Sequence, residues 1–413
     1  MDTVSSALLS HEFLKPNILF VTATFLTTLA LHFPPKFHPL FLPLTWLITL
    51  WSFASVKGNI TSGRLIGLES YVTIACIVYM LVLPRILYFE SHSLSQGTRD
   101  TSKSKRLDDI VLRPGMSSIS DSCWIWNNPR HLSYPRSRSG SLPPSELLQY
   151  ALFRILKIGV ITFIDRILVQ KLSQHVGTTS TILDFTPDQE PIIRRLLERD
   201  EDDPVSRHQL LLRAFMCISW IWPNILVLES YHAMLSLLFV VVLRFNGPGD
   251  WPPLFGSPLE AWTVRRFWGK FWHRIASPTF HTYAKVFSQY ILKLEPESTV
   301  EKATVAFGIF FLSGLLHAAT AWKVGQGEGH RDMLFFCANY FVIAGEILVS
   351  RLLRNLVRKT KYEARLKDSK MRAAGKALGF VWVFAWFFWS TPRWLYPKIL
   401  RWSLKQAILQ SRV

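Results

Sequence analysis

The sequence predicts an all-α fold, a polytopic transmembrane helical bundle of about seven to nine spans, and three observations carry that prediction. Hydrophobic residues make up 49% of the 413 and charged residues only 18%, and the mean hydropathy is +0.19. The apolar residues are clustered: stretches 17–35, 37–56 and 303–322 contain no Asp, Glu, Lys or Arg. Each comes close to the roughly 20 apolar residues that a helix needs to cross hydrocarbon. The 16 Trp suit a membrane protein, because indole gathers at the membrane–water interface.

In chain order, apolar windows fall at 17–33, 38–56 and 67–89, then 150–172, 209–243, 303–322, 333–350 and 377–396. Ahead of the first stand Asp2 and no basic n-region, so a retained anchor is expected and not a cleaved signal peptide. Window 150–172 contains Arg154, Lys157, Asp165 and Arg166; its helix either lies in the interface or turns these charges toward the bundle interior. Window 209–243 holds Pro223 and reads as one kinked span or two tight ones. The organisation that follows is 1–90 for N-terminal transmembrane helices and 91–149 for a flexible Ser/Arg-rich cytosolic loop. Residues 150–245 supply central helices, 246–350 the motif-bearing core, and 351–413 a basic loop with the last span.

The net charge is +18, yet the cations sit between spans, which points to membrane topology and not to nucleic acid. One basic loop carries Lys103, Lys105, Arg106, Arg113, Arg130, Arg136 and Arg138; a second runs over 353–376. Both are placed on the cytosolic side. The lumenal side then receives Asn59-Ile60-Thr61, a glycosylation acceptor pattern, and the acidic run Asp200–Asp203. Cys76, Cys123, Cys217 and Cys337 are scattered, without pairing or metal spacing, and no metal site is expected.

Two constellations could carry chemistry. His317 is the one ionisable group in 303–322, and a polar group in hydrocarbon is costly without a partner. Ser313, Gly314, Thr320 and Ala321 share its helix face, leaving room there for a substrate or for another helix. The second is Arg265-Arg266-Phe267-Trp268-Gly269-Lys270-Phe271-Trp272-His273-Arg274. Trp268, Phe271, Trp272 and Ile275 follow one helical face, with Arg266, Lys270 and Arg274 roughly opposite. That pattern predicts a cytosolic-side interfacial amphipathic helix, entered through the loop chemistry of 246–253. Among other intramembrane polar residues, Glu229 and His232 stand three apart and suggest a local hydrogen bond before a metal site. Glu346 either lines a cavity or pairs with another helix.

The order Trp251-Pro252-Pro253-Leu254-Phe255-Gly256-Ser257-Pro258, then Phe267-Trp268-Gly269-Lys270-Phe271-Trp272-His273, then His317 in an apolar helix resembles the wax-synthase-like branch of the membrane-bound O-acyltransferases. The clear match covers about 250–340, and the size and Ser/Arg-rich insertion look like fungal members that acetylate terpenoids and meroterpenoids. The resemblance implies that His317 is the catalytic histidine and His273 the second polar position, a hydrogen-bonding positioner. It implies no bound cofactor, acyl-CoA (acetyl-CoA favoured) as cosubstrate, a lipophilic alcohol as acceptor, and a multi-pass protein of the endoplasmic reticulum; oligomeric state is not implied. Thr263-Val264-Arg265-Arg266 departs from the family's acidic or Ser-rich lead-in.

The chemistry agrees with these residues. An alcohol attacks a thioester poorly until a base takes its proton, and histidine's ordinary pKa suits that task. Arg265, Arg266, Lys270 and Arg274 could meet CoA phosphates or lipid headgroups, while Trp268, Trp272 and Ser313 would border the substrate. Competing readings are a long-chain acyl-CoA:alcohol acyltransferase making wax or sterol esters, and a transporter with a proton path over Glu229, His232, His317 and Glu346. Against the transporter stands the lack of an internal repeat. A magnesium-dependent prenyltransferase built on Asp200–Asp203 is a further alternative.

Overall fold

The computed structural model of the chain describes residues 11–57, 65–84, 86–87, 142–198, 205–358 and 369–411. Among these residues the fold is all helical, without a strand. Asn59, nearly all of the 91–149 loop with Cys123, the run Asp200–Asp203 and the middle of the basic 353–376 loop lie outside the described residues. Cys76, Cys217 and Cys337 are free thiols.

Each predicted window contains a helix. They are α1 (His11–Ala30), α2 (His38–Ser55), α3 (Leu65–Pro84), α4 (Pro144–Thr179) and α5 (Arg207–Val242). After α6 (Ser277–Val286), which no window foretold, come α7 (Thr299–Lys323), α8 (Gly329–Arg358) and α9 (Ser369–Gln410). Helices α4, α5, α7, α8 and α9 are long and apolar enough to cross a membrane, and their outward faces expose large hydrophobic side chains such as Phe163, Val242, Trp322, Phe341 and Leu378. Water would penalise such surfaces; lipid does not. The chain is an integral membrane protein.

Polar residues decide which helices meet. The charges of α4 turn inward: Arg154 is buried and donates to the Trp251 carbonyl. Lys157 pairs with Glu229 of α5 at 2.6 Å, and Asp165 accepts the Trp222 indole N–H at 3.0 Å. Only Arg166 of the four faces outward. The interior alternative for window 150–172 is therefore the one found, as expected when an unpaired charge in hydrocarbon costs several kcal/mol.

Helix α5 is one span with a break. Pro223 has no N–H to give the Ser219 carbonyl, and the helix interrupts at Trp220, which ends one segment and begins the next. The interruption turns the Trp220 indole into an aromatic cluster. Its ring lies 4.9 Å from Trp272, 5.5 Å from Phe387, 5.7 Å from Trp394 and 5.9 Å from both Phe267 and Phe335. Helices α7 and α8 form a close hairpin. A Cβ on Gly314 would come within 3.1 Å of the Met333 backbone, and one on Gly329 within 3.2 Å of Ala318. Of the two uses the sequence left open for the small residues around His317, Gly314 serves packing of another helix.

Asn339, fully buried in α8, joins three elements. Its side-chain oxygen accepts the indole N–H of Trp268 and of Trp386, each at 2.9 Å, while its amide donates to the Phe335 carbonyl at 2.8 Å. Replacing it with leucine leaves two buried indoles unpaired, so Asn339→Leu is expected to destabilise the fold by roughly 2–4 kcal/mol. Thermal unfolding in detergent measures this, with the lipid-facing Phe341→Leu as an unaffected control.

Candidate active site

The motif begins at Thr263, whose hydroxyl accepts the Arg266 N–H at 3.0 Å. Glu346 of α8 accepts the Val264 and Arg265 N–H groups at 2.7 and 2.9 Å, and the Trp382 indole at 2.8 Å. A helix start leaves such donors without partners, and here a carboxylate from a spanning helix supplies the acceptor. After one α turn at Val264–Arg266 the chain widens into a π turn over Phe267–Phe271. At Trp272 the backbone becomes extended, with φ −66° and ψ 146°.

The predicted amphipathic face is thus corrected in extent and setting. It ends at Phe271, so Trp272, His273, Arg274 and Ile275 are not its continuation. Phe267 and Phe271 are buried against protein aromatics, not lipid. The turn stops where it does because Gly256 donates its N–H to the Phe271 carbonyl at 2.9 Å, bringing the Phe255–Gly256 loop under the motif. Only glycine permits this approach: a Cβ at Gly256 would collide with the Lys270 carbonyl.

His273 follows in the extended segment. Its half-buried ring lies 5.4 Å from Phe255 at an interplanar angle of 81° and 5.1 Å from Trp272. Its Nδ1 is buried without a hydrogen-bond partner among the described residues. Burial holds its pKa down to about 3, and neighbouring His317 acts in the same direction; the ring is neutral at physiological pH. His317, also half-buried, stacks on Phe336 of α8 with centroids 4.7 Å apart and planes at 13°. Two histidines forty-four residues apart in sequence therefore share one interior region.

The remaining predicted residues separate into groups. Arg265, Arg266 and Lys270 line a groove of about 480 Å³. Arg274 is exposed and lies outside it. Arg266 is already engaged, pairing with Glu260 and lying 4.6 Å over the Trp262 ring, so Arg265 and Lys270 are the exposed motif cations that border the groove. Trp268 and Trp272 face the aromatic cluster, Trp268 lying 5.8 Å from Phe336. The Ser313 hydroxyl donates to the Ile309 carbonyl within its own helix at 2.8 Å.

Glu229 accepts the Phe255 N–H at 3.3 Å besides its pairing with Lys157, so its partners are protein groups. His232 packs 5.3 Å from Trp251. Among the described residues no group of three or more His, Cys, Asp or Glu is arranged to hold a metal ion.

Several residues escaped the sequence reading. Ser350 and Arg354 of α8 complete the cationic groove. Asp332, fully buried, accepts the Trp394 indole at 2.7 Å and Lys398 at 2.6 Å; these two charges act on His317. A lone polar residue in an apolar stretch was the available signal for Asn339, as it was for His317; Asp332 follows Glu328, His330 and Arg331 and carried no such signal.

Residues 251–338 match the model of the membrane bound O-acyl transferase family. The chain is 32% identical over 197 residues to the acetyltransferase atnC of an Arthrinium species, covering 47% of this chain and 43% of the relative. It is 32% identical over 200 residues to the acetyltransferase ple2 of Rhodocybe pseudopiperita, covering 47% and 48%. Over 183 residues it is 32% identical to the acetyltransferase TRI7 of Fusarium sporotrichioides, covering 43% and 40%. The chain thus spans under half the length of these curated relatives, and no solved structure matches it. The segment that holds the motif, the capped turn and both histidines is thus similar to the membrane bound O-acyl transferase family and to fungal acetyltransferases.

Proposed function

We propose that the protein transfers an acetyl group from acetyl-CoA to a hydroxyl of a lipophilic acceptor of the terpenoid or meroterpenoid class, in secondary metabolism. The observation that carries this reading is the placement of the half-buried His317 and His273 in one interior region, within the segment that matches the acyltransferase family. The relatives named above are acetyltransferases, which favours acetyl over a long acyl chain. The reading includes a multi-pass placement in the endoplasmic reticulum with about seven to nine spans, the motif turn at the cytosolic face, and residues 246–350 as the acyltransferase core.

The acceptor oxygen attacks the thioester carbonyl carbon while His317 takes the hydroxyl proton. The carbon–sulfur bond then breaks, its electron pair leaves on sulfur, and the imidazolium returns the proton to that thiolate. Ester and free CoA result, without a covalent enzyme intermediate. His273, neutral, positions the reacting groups by hydrogen bonding. Arg265, Lys270 and Arg354 meet the CoA phosphates, with Arg266 held beside them.

Helix geometry supports this division. Glu346 and Ser350, at the groove, stand ten and fourteen residues beyond Phe336, on which His317 stacks. At the helical rise this is about 15–20 Å along the axis, within reach of an extended phosphopantetheine arm.

Three outcomes are expected in microsomes supplied with labelled acetyl-CoA. His317→Ala abolishes ester formation, with kcat lowered by about 100-fold or more, while membrane insertion is unchanged. Wild-type turnover would remove His317 as the base. His273→Asn retains partial activity, and because His273 stays neutral above about pH 3 it leaves the shape of the kcat profile between pH 5 and 8 unaltered. A profile altered between pH 5 and 8 in that variant would instead make His273 a titrating group. Lys270→Ala with Arg354→Ala raises the KM for acetyl-CoA roughly tenfold at low salt with little change in kcat; an unchanged KM would place the phosphates elsewhere.

A further inference from the structure

A hydroxyl inside an apolar helix ordinarily turns back onto the carbonyl one turn earlier. Thr27, Thr45, Thr49 and Thr320, all buried, do so at 2.7–3.0 Å. Ser390 and Thr391 of α9 do not: both are at least nine-tenths buried, with 6% and 0% exposure, and neither oxygen has a partner among the described residues. The indoles of Trp268, Trp386 and Trp394 all donate to side chains, whereas the Trp220 Nε1, in a residue 8% exposed, is unpartnered. Asp332 spends one oxygen on Trp394 and Lys398; its Oδ2 is buried and unpartnered.

These four residues share one neighbourhood. Trp394, bonded to Asp332, lies 5.7 Å from the Trp220 ring and follows Ser390 and Thr391 by four and three positions, one helical turn. Phe387, a turn before them, is 5.5 Å from Trp220. Asp332 stands one turn from Phe336, the ring on which His317 stacks, on the side away from the cationic groove. Each orphaned buried polar atom costs desolvation free energy without return; others, such as the Tyr150 hydroxyl, Trp251 Nε1 and Thr279 Oγ1, are scattered through the described residues. Four in one place, beside the reacting histidine, mark where polar atoms of a ligand are received.

We infer that Trp220, Asp332, Ser390 and Thr391 form the acceptor subsite, and that it takes a polyoxygenated lipophilic alcohol, one with at least one oxygen function besides the hydroxyl that is acylated. This rests on the acyltransferase reading and adds to it the acceptor's class. The set offers a donor in the indole, an acceptor in the carboxylate, and two hydroxyls that serve as either. A simple fatty alcohol would leave all of them unpaired, and sites built to hydrogen-bond a substrate discriminate strongly against analogues lacking that group.

The test uses the full chain and two probes on one carbon skeleton, farnesol and 10,11-dihydroxyfarnesol, which keeps the C1 hydroxyl and adds a vicinal diol. In detergent, the diol is expected to raise the Tm of the wild type at concentrations where farnesol does not. Ser390→Ala/Thr391→Val should lose that shift while its ligand-free Tm stays unchanged or rises, since it removes orphaned hydroxyls. Trp220→Phe, which keeps the ring and removes the N–H, is the second variant and should lose the shift likewise. In microsomes the kcat/KM preference for diol over farnesol, at least about tenfold in the wild type, should fall toward one.

Equal shifts with the two alcohols, no shift with either, or a ligand-free Tm lowered by several degrees in both variants would overturn the inference. The hydroxyls would then be structural or merely hydrated. His317→Ala separates the two readings: it should bind the diol normally and transfer nothing. A wild type that binds the diol but makes no ester would sink the acetyltransferase proposal and leave the subsite standing.

Discussion

Inside an apolar bundle an indole N–H has no water to turn to, and the side-chain oxygen of Asn339 is where two of them end. One indole belongs to the motif turn, the other to α9, and the amide itself to α8. Were either donor displaced, an unpaired group would remain in surroundings that penalise it by several kcal/mol. The motif turn is therefore fixed laterally by Trp268 and at its start by Glu346, both through α8. His273 leaves the end of that turn, and His317 stacks on another residue of α8. The geometry of the pair thus depends on one helix and its few polar side chains.

Along α8 those side chains occur in an order that matches the needs of a two-substrate reaction. Arg354 and Ser350 border the exposed groove, Glu346 caps the motif, Asn339 holds the indoles, Phe336 supports His317, and Asp332 lies one turn beyond. The cationic end and the end with orphaned oxygens are separated by the histidines. An anionic, water-soluble donor and a lipophilic acceptor that approach from opposite ends would meet at the middle without sharing a binding surface. Such an arrangement obtains proximity from the fold itself, since each partner is positioned by its own end of one rigid helix.

The helices were legible in sequence because hydropathy over about 20 residues is a local property. His317 was legible for a related reason: an ionisable group in a charge-free window stands out wherever its partners are. Partners themselves were not legible. Nothing in the window 333–350 announces that Asn339 receives Trp268 from 71 positions earlier, or that Glu346 caps a turn 82 positions away. The amphipathic pattern through Ile275 misled because side-chain periodicity reports a face only while the backbone stays helical; Gly256 ends the turn at Phe271 by a long-range contact. The cations were read as a stripe, yet Arg266 is held by Glu260 and Arg274 leaves the groove. Charge pattern alone does not distinguish an engaged guanidinium from an available one.

The interior carboxylates differ in how completely protein donors use them, and that difference has a physical meaning. Between α4, α5 and the motif, the carboxylates of Glu229, Asp165 and Glu346 are used by protein donors, as expected of groups whose task is to hold helices together. Around Trp220 and Ser390–Thr391 the same bundle leaves a donor, two hydroxyls and a carboxylate oxygen unmatched. A fold selected for stability alone would place alanine, valine and phenylalanine at such positions, since apolar replacements of similar shape are neutral or favourable there. Departures from local consistency concentrate where a protein does its chemistry, and this one adjoins the helix turn that carries His317.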